Sequence, residues 1–188
     1  MAKIYISSTY GDLKEYREKV YHALLQWGHQ VIAMEDYVAG DQRPLDKCLA
    51  DVAGCDLYVG IFAWRYGYVP DRDNPDRLSI TELEYRQAGE AGRPCLIFLL
   101  ADDASWSQTL NDTATGTKRA GQRIRALRKE LKKEKLVSFF KNPDELVNQV
   151  CRAVKEWVDA QASHDKSAGE RVETAAPPPP APSSPPNR

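Results

Sequence analysis

The sequence predicts an α/β fold in which helices cover both faces of one parallel sheet. Short runs of β-forming residues alternate with segments of helical periodicity, which is the pattern of successive βαβ units. Two of these runs, 56–62 and 94–100, are almost continuously apolar, as expected of central strands that helices cover on both sides. Because 42% of the 188 residues are apolar, the chain can bury one core of ordinary size.

Five strands are expected in this sheet. They are the segments 3–7, 29–34, 56–62, 94–100 and a weaker fifth, 136–140. Right-handed crossovers between parallel strands, with one reversal of the winding direction, give the strand order 2-1-3-4-5. The predicted fold class is therefore a flavodoxin-like α/β sheet.

The first two helices have clear start signals. Asp12 is followed three residues later by Glu15, an arrangement typical of a capping box, and Gly28 stands where this helix should end. Pro44 opens the second helix, because proline is favoured at the first helical position.

Three further helices are expected in the second half of the chain. The third spans 79–91, a strongly basic one follows over about 121–134, and the last begins at Asp144. The last helix carries apolar residues at helical spacing, which indicates that one of its faces is buried.

The C-terminal segment differs in composition from everything before it. Residues 1–162 are predicted to form the folded domain, whereas 163–188 hold seven of the twelve prolines and almost no apolar side chains to bury. This segment is expected to be disordered, either as a stiff linker to a further domain or as a plain tail.

Charge and cysteine content narrow the classes of function. The net charge of −1 gives no general attraction to nucleic acid or anionic membrane. The four cysteines lack CxxC spacing and there are only three histidines, so neither a disulfide framework nor a zinc site is expected. No apolar run approaches the roughly 20 residues of a membrane helix and no signal peptide is evident. We therefore expect a cytoplasmic protein without metal, cofactor or membrane partner.

In a sheet of this order, ligands bind outside the carboxyl ends of strands one and three, where the winding direction reverses. The loop after strand one contains Ser7, Ser8 and Thr9 and leads into a helix N-terminus, which suits a phosphate or a ribose. Ordinary helix capping explains the same residue types.

The loop after strand three brings aromatic rings and a guanidinium to the same crevice. Its residues Trp64, Arg65 and Tyr66 are predicted to line the base end of a nucleotide site, and Gly67 of the same loop is predicted to be substrate-binding. Arg65 can bind a phosphate or carboxylate of a ligand, or else a structural acidic partner.

The third helix carries the most informative acid. Ser79 and Glu82 fit a capping box, so Glu82 has a structural explanation. Glu84 has none, because it falls on the inward stripe of the helix, near the predicted crevice. A partly desolvated carboxylate there is typical of a functional acid, and the alternative is a solvated residue at the edge of the stripe.

Three segments together carry a resemblance to a known family. They are KIYISSTYGDLKEYREKV at the N-terminus, WRYG after strand three and SITELEYRQA at the third helix. In this order they resemble the TIR-like domain of unknown function found at the N-terminus of NACHT and other STAND-type signalling proteins. The resemblance covers roughly residues 1–100.

This resemblance implies a catalytic role for one residue. The family is similar in fold to TIR domains and nucleoside deoxyribosyltransferases, which cleave N-glycosidic bonds with a glutamate. Thr81, Glu84 and Ala88 stand in register with the transferase pattern, which implies that Glu84 is catalytic and Thr81 lies in the substrate site. Arg86 stands where the transferases usually have glycine, and the Trp-Cys pair of many NAD-cleaving TIR domains is missing, so the substrate stays open.

Three functions follow as hypotheses. The first is a nucleotide N-glycosidase of the NAD glycohydrolase type, an effector in signalling or defence for which NAD is a substrate and not a cofactor. The second is a non-catalytic module that self-associates or docks on a partner such as a C-terminal NTPase or sensor domain. The third is nucleic-acid binding through 118–135, which holds nine Lys or Arg and two Glu. For that helix, a solvated basic face with Ile124, Leu127 and Leu131 turned inward is the simpler explanation.

Overall fold

Five parallel strands make up the sheet, and their order confirms the predicted fold class. The computed structural model describes residues 1–37, 43–115 and 118–173. Its strands are β1 (Lys3–Ser7), β2 (Gln30–Ile32), β3 (Leu57–Phe62), β4 (Cys95–Leu100) and β5 (Val137–Phe140). They pair in the order β2-β1-β3-β4-β5, and every pairing is parallel.

The helices alternate with these strands along the chain. They are α1 (Tyr10–Gln26), α2 (Pro44–Ala53), α3 (Ile80–Glu90), α4 (Lys118–Glu134) and α5 (Pro143–Glu173). Two short 3₁₀ turns, Met34–Asp36 and Gln108–Leu110, lie in the connections. The structure agrees with the predictions that Pro44 opens α2 and that Ser79 caps α3.

The start of α1 differs from the prediction. The helix begins at Tyr10 instead of Asp12, because Thr9 has an extended backbone and is the residue that precedes the first helical turn. Asp12 therefore lies inside the first turn of α1, and the predicted capping box of Asp12 and Glu15 is wrong. The Asp12 side chain therefore belongs to the first helical turn and does not cap the helix.

Side chains pack closely around β3, the central strand of the sheet. In the register of the β1 and β3 pair, Tyr5 lies beside Tyr58 and Ser7 beside Gly60. The Tyr5 and Tyr58 rings stack with their centroids 6.3 Å apart. A Cβ atom on Gly60 would approach ring carbons of Tyr58 and Phe62 to 2.8 Å, so the rings that flank β3 require glycine there.

Helix α4 packs on the sheet with the face that the sequence predicted. Ile124, Leu127 and Leu131 are all buried, as expected for an amphipathic helix with a solvated basic face. Arg128 is buried as well, and its guanidinium donates to the carbonyl oxygens of Phe62, Ala63 and Leu100 and to Asp102. Part of the basic character of α4 is therefore used inside the fold.

The C-terminal part of the chain is only partly described. Met1–Ala153 form one compact unit, which holds the sheet, and a second unit begins at Val154. Helix α5 ends at Glu173, beyond residue 162, where the sequence placed the end of the folded domain. The proline-rich segment after residue 173 lies outside the described residues, so the domain boundary stays a prediction. Among the described helices, none is long and apolar enough to span a membrane.

Candidate functional site

A cavity of about 710 Å³ opens at the carboxyl ends of β1 and β3. Its walls come from the end of β1, the first turns of α1 and α3, the loop after β3 and the segment before α4. This is the position where the strand order reverses, which is the place that the topology predicted for a ligand. The volume is typical of small-molecule sites.

Glu84 lies at this cavity as a buried carboxylate. It is 3% exposed and stands in the second turn of α3. The hydroxyl of Tyr5 donates to its Oε1 at 2.7 Å, and the hydroxyl of Ser7 donates to its Oε2 at 2.5 Å. Because side chains alternate along a strand, Tyr5 and Ser7 share one face of β1 and can hold the two oxygens separately. The carboxylate is thus fixed in position by β1.

Opposing effects act on the pKa of Glu84. Burial is the largest effect and raises this pKa above its ordinary value, while the hydrogen bonds from Ser7 and Tyr5 and the charge of Arg17 act in the opposite direction. Burial and the charge of Glu84 also raise the pKa of Tyr5, so this tyrosine remains protonated and serves as a donor.

The three hydroxyls of the loop after β1 have different surroundings. Ser7 is bound to Glu84, and Ser8 accepts a hydrogen bond from the guanidinium of Arg17 at 2.9 Å. Arg17 is itself buried and paired with Glu35 at 2.6 Å. Of the three, only the Thr9 hydroxyl is buried without a hydrogen bond of good geometry among the described residues, and it lies near enough to Asp12 to lower the pKa of that acid.

Asp12 is a second buried acid at the same cavity. It is 8% exposed, and within the described part of the chain neither carboxylate oxygen has a hydrogen-bond donor. Burial raises the pKa of Asp12, whereas the Thr9 hydroxyl, the backbone N–H of Asp12 and the positive charge of Arg65 lower it. Asp12 was predicted to cap α1 because the predicted helix began two residues too late.

Arg65 and Gly67 reach the cavity from the loop after β3, as predicted. No hydrogen bond or ion pair joins Arg65 to residues 1–37, 43–115 or 118–173. In particular, Arg65 is not the partner of Glu84, whose oxygens accept from Tyr5 and Ser7. Gly67 has a φ of +92°, a left-handed conformation that favours glycine. Thr81, predicted at the site, also lines the cavity.

Trp64 and Tyr66 lie outside the cavity, in contrast to their predicted position at its base end. The guanidinium of Arg128 covers the Trp64 ring at 3.9 Å from the ring centroid. The Tyr66 hydroxyl donates to Glu82 at 2.7 Å and accepts from Arg123. Arg65 and Gly67 thus line the cavity, while Trp64 and Tyr66 contact basic side chains of α4.

Glu82 forms half of the predicted capping box. Its backbone N–H donates to the Ser79 hydroxyl at 3.3 Å, but its carboxylate does not return to the Ser79 amide. It accepts instead from Tyr66 and from Arg86 at 3.0 Å. Arg86 also pairs with Glu130, so Glu82 belongs to a network that joins α3 to α4.

Sequence reasoning missed three side chains of this site. Tyr5 was placed only as a strand residue, although its spacing of two from Ser7 could have indicated a shared face. Asp12 was taken as a cap, and the pairing of Arg17 with Glu35 depends on tertiary contacts that no local pattern shows. Among the residues that the structure describes, no three His, Cys, Asp or Glu side chains come together as a metal site requires.

Comparisons with known proteins identify a family and a fold. The family described as "Domain of unknown function (DUF4062)" matches residues 3–155. A search of curated proteins gave no match. One similar solved structure is that of the TIR domains of the activated Roq1 resistosome that recognises the pathogen effector XopQ, with a TM-score of 0.53, 8% identity, and coverage of 82% of this chain and 99% of that one. Another is the Clostridium botulinum CMP N-glycosidase BcmB, with a TM-score of 0.46, 10% identity, and coverage of 80% of this chain and 98% of that one. At these identities the TIR likeness shows the fold alone.

Proposed function

This chain belongs to the DUF4062 family, and from that premise we propose that it cleaves the N-glycosidic bond of a nucleotide, with NAD as the first substrate to test. The observation that carries the proposal is the buried carboxylate of Glu84, held at the cavity by the hydroxyls of Tyr5 and Ser7. A carboxylate in that setting has little structural use, because its charge is costly to bury.

The chemistry of glycosidic cleavage needs a negative charge of this kind. When the bond between the ribose C1′ and the base nitrogen breaks, the electron pair leaves with the base and C1′ becomes cationic. A fixed carboxylate stabilises that cation more strongly in a dry site than in water. Water then adds to C1′ and releases a proton, so the products are the free base and the ribosyl remainder.

Tyr5 and Ser7 act on Glu84 as positioning residues. Each donates to a different carboxylate oxygen, which fixes the plane of the carboxylate before a ligand enters. Such preorganisation avoids the reorganisation that a freely rotating side chain would need during the reaction. NAD suits a site with one such acid, since nicotinamide leaves as a neutral molecule and needs no proton from the protein.

The remaining polar groups of the cavity suit a nucleotide. Arg65 offers a guanidinium, and Thr9 and Thr81 offer hydroxyls around the same space. From the resemblance to TIR-like domains at the front of NACHT-type proteins, we also propose a cytoplasmic signalling or defence role, with a C-terminal NTPase or a second copy as partner.

Release of free base from purified protein tests the proposal. The protein is incubated at high concentration with NAD, and separately with nucleoside monophosphates, and the free base is separated by chromatography. We expect base release by the wild type and by E90Q, whose exposed acid lies on the same helix, and none by E84Q. If the wild type releases no base from any nucleotide, a non-catalytic module replaces the enzyme as the explanation.

A further inference from the structure

The carboxylate of Asp12 lacks the hydrogen-bond donors that a buried acid normally has. Both of its oxygens are buried, and neither accepts a hydrogen bond of good geometry from the described residues, although the Thr9 hydroxyl and the N–H of Asp12 itself lie near enough to lower its pKa. A buried acceptor without a donor destabilises a protein, and more so when it is charged. Since Asp12 lines the cavity, a bound ligand can supply the missing donors.

Arg65 presents the opposite chemistry in the same cavity. Its guanidinium lies against the first turn of α1, 3.4 Å from the position that a Cβ atom on Gly11 would take. It is close enough for its charge to lower the pKa of Asp12, yet the two side chains form no ion pair within the described residues. The nearby acid Asp112 accepts from the backbone N–H of Tyr66 at 2.8 Å, so that acid has a partner of its own.

The opposite charges of Asp12 and Arg65 disfavour the binding of a simple anion or cation between them. A phosphate drawn to Arg65 would be repelled by Asp12, and a cation drawn to Asp12 would be repelled by Arg65. A neutral group that has an N–H donor next to an acceptor satisfies both side chains at once. Adenine, cytosine and the carboxamide of nicotinamide each carry such a pair, with the N–H on the exocyclic group, whereas uracil and hypoxanthine carry the two kinds of atom in the reverse order.

We propose that Asp12 and Arg65 form a specificity subsite that binds the amino-bearing edge of a base or of nicotinamide. Asp12 accepts from the exocyclic amino or amide N–H, and Arg65 donates to the adjacent ring nitrogen or carbonyl oxygen. The inference deepens the proposed function and rests on it, because it assigns the base end of the same cavity. It keeps Arg65 at the base end, where the sequence placed it, and gives Asp12 the role predicted for Trp64 and Tyr66.

Binding of matched nucleotide pairs tests this subsite. The pairs are AMP with IMP, CMP with UMP, and NAD with its nicotinic acid analogue, and the members of each pair differ in the amino or amide group. Isothermal titration calorimetry is done on the full chain carrying the E84Q substitution, so that no ligand is cleaved during the measurement. We expect the amino-bearing member of at least one pair to bind about tenfold more tightly, because an oxo or carboxylate group leaves Asp12 facing an acceptor.

Single substitutions test the two side chains separately. D12N keeps the shape of the side chain but presents an N–H donor. It should therefore abolish or reverse the preference of about tenfold for the amino-bearing member. E15Q, which changes an exposed acid of the same helix, should keep it. R65Q alters a half-exposed residue and provides a second test that does not depend on the folding of D12N; it should weaken binding of the amino-bearing member of the favoured pair.

The outcomes separate this inference from the proposed function. Equal binding within every pair, no binding of any of them, or an unchanged preference in D12N overturns the subsite. Base release by the wild type together with equal binding leaves the glycosidase and removes only the subsite. Amino-selective binding without base release in the wild type keeps the subsite and removes the glycosidase.

Discussion

Glu84 is an acid buried in a position where its ionised form is costly. Two hydroxyl donors and the distant positive charge of Arg17 favour its ionised form, while burial opposes it. The balance matters because only the carboxylate can stabilise a cationic ribose. Glu82, two residues earlier on α3, binds Tyr66 and Arg86 instead, so the two acids of this helix have separate roles.

Replacement of Glu84 and Glu82 by glutamine should therefore have different effects. E84Q should reduce base release by at least about a hundredfold and change the free energy of unfolding by less than about 1 kcal/mol, because the hydroxyls can still pair with an amide. E82Q should keep base release within about twofold and lower stability by about 1–2 kcal/mol, since bonds to Tyr66 and Arg86 lose their charge assistance. Turnover assays and urea unfolding measure both quantities.

The stability of E84Q also checks that Glu84 is not half of a structural ion pair. If Glu84 were the partner of Arg65, E84Q would leave an unpaired charge and cost about 3–5 kcal/mol. Unchanged base release in E84Q would remove this residue from the reaction.

Asp12 should destabilise the folded protein at neutral pH. Its pKa is raised in the folded state, so the stability it contributes at low pH is lost as the pH rises through the folded value. D12N cannot ionise and should be more stable than the wild type at about pH 7, with the difference shrinking toward about pH 4. Chemical unfolding of D12N, E15Q and wild type across this range measures it, and a difference that grows toward low pH would contradict the prediction.

At the scale of the elements, α4 has two kinds of basic residue. Arg128 is buried against backbone carbonyls and Asp102, and Arg123 donates to the carbonyl oxygens of Asp76 and Arg77. Arg125 and Lys129 are exposed. The first kind joins α4 to the sheet and to the loop before α3, and the second kind alone is available to a polyanion.

Removal of a buried and of an exposed basic residue of α4 should lower the stability of the protein to different extents. R128A should lower the free energy of unfolding by about 2–4 kcal/mol, because three carbonyl oxygens lose a buried donor. R125A should change it by less than about 0.5 kcal/mol. Urea unfolding compares them, and equal effects would mean that Arg128 is not needed to hold α4.

Any nucleic-acid binding by the exposed basic residues should depend on salt. Contacts with phosphates release counterions, so affinity for DNA or RNA should fall steeply as ionic strength rises. Combined replacement of Arg125 and Lys129 by alanine should weaken it further, measured by fluorescence anisotropy at two salt concentrations. Tight binding that persists at high salt would favour the nucleic-acid hypothesis over the glycosidase.

Local patterns predicted the elements better than the directions of single side chains. The helical stripe of α3 correctly placed Glu84 inward, and the switch in strand order correctly placed the cavity. Trp64 and Tyr66 were misplaced because side-chain direction in an irregular loop depends on what packs against it, here α4. Asp12 was assigned to the helix cap because aspartate is common there, but α1 begins two residues earlier and Asp12 lines the cavity.

At the scale of the whole molecule, the alternation of strands and helices was enough to predict the sheet order. A parallel sheet with right-handed crossovers allows few arrangements, so moderate errors in the ends of β2 or α1 did not alter the topology. The family match, residues 3–155, ends before the proline-rich segment. The boundary of the folded domain is the feature that still needs an experiment.

A chain that ends after residue 162 should fold as well as the full chain. The segment after it has almost nothing apolar to bury, so the melting temperature should change by no more than a few degrees. A chain that ends after residue 140 serves as the control and should not fold, since it lacks Leu146 and Val150, both fully buried. A large fall in the melting temperature of the chain that ends after residue 162 would mean that residues 163–188 stabilise the domain.

The alternation along β1 has a consequence for how relatives should be compared. Tyr5 and Ser7 reach Glu84 because they are separated by one residue, and a single inserted or deleted codon within β1 would turn them to the opposite face. The strand would still be apolar enough to pair, while isoleucine side chains would face the carboxylate. A glutamate aligned with Glu84 is therefore insufficient evidence of shared chemistry, and an alignment should also be required to keep both hydroxyls in phase with it.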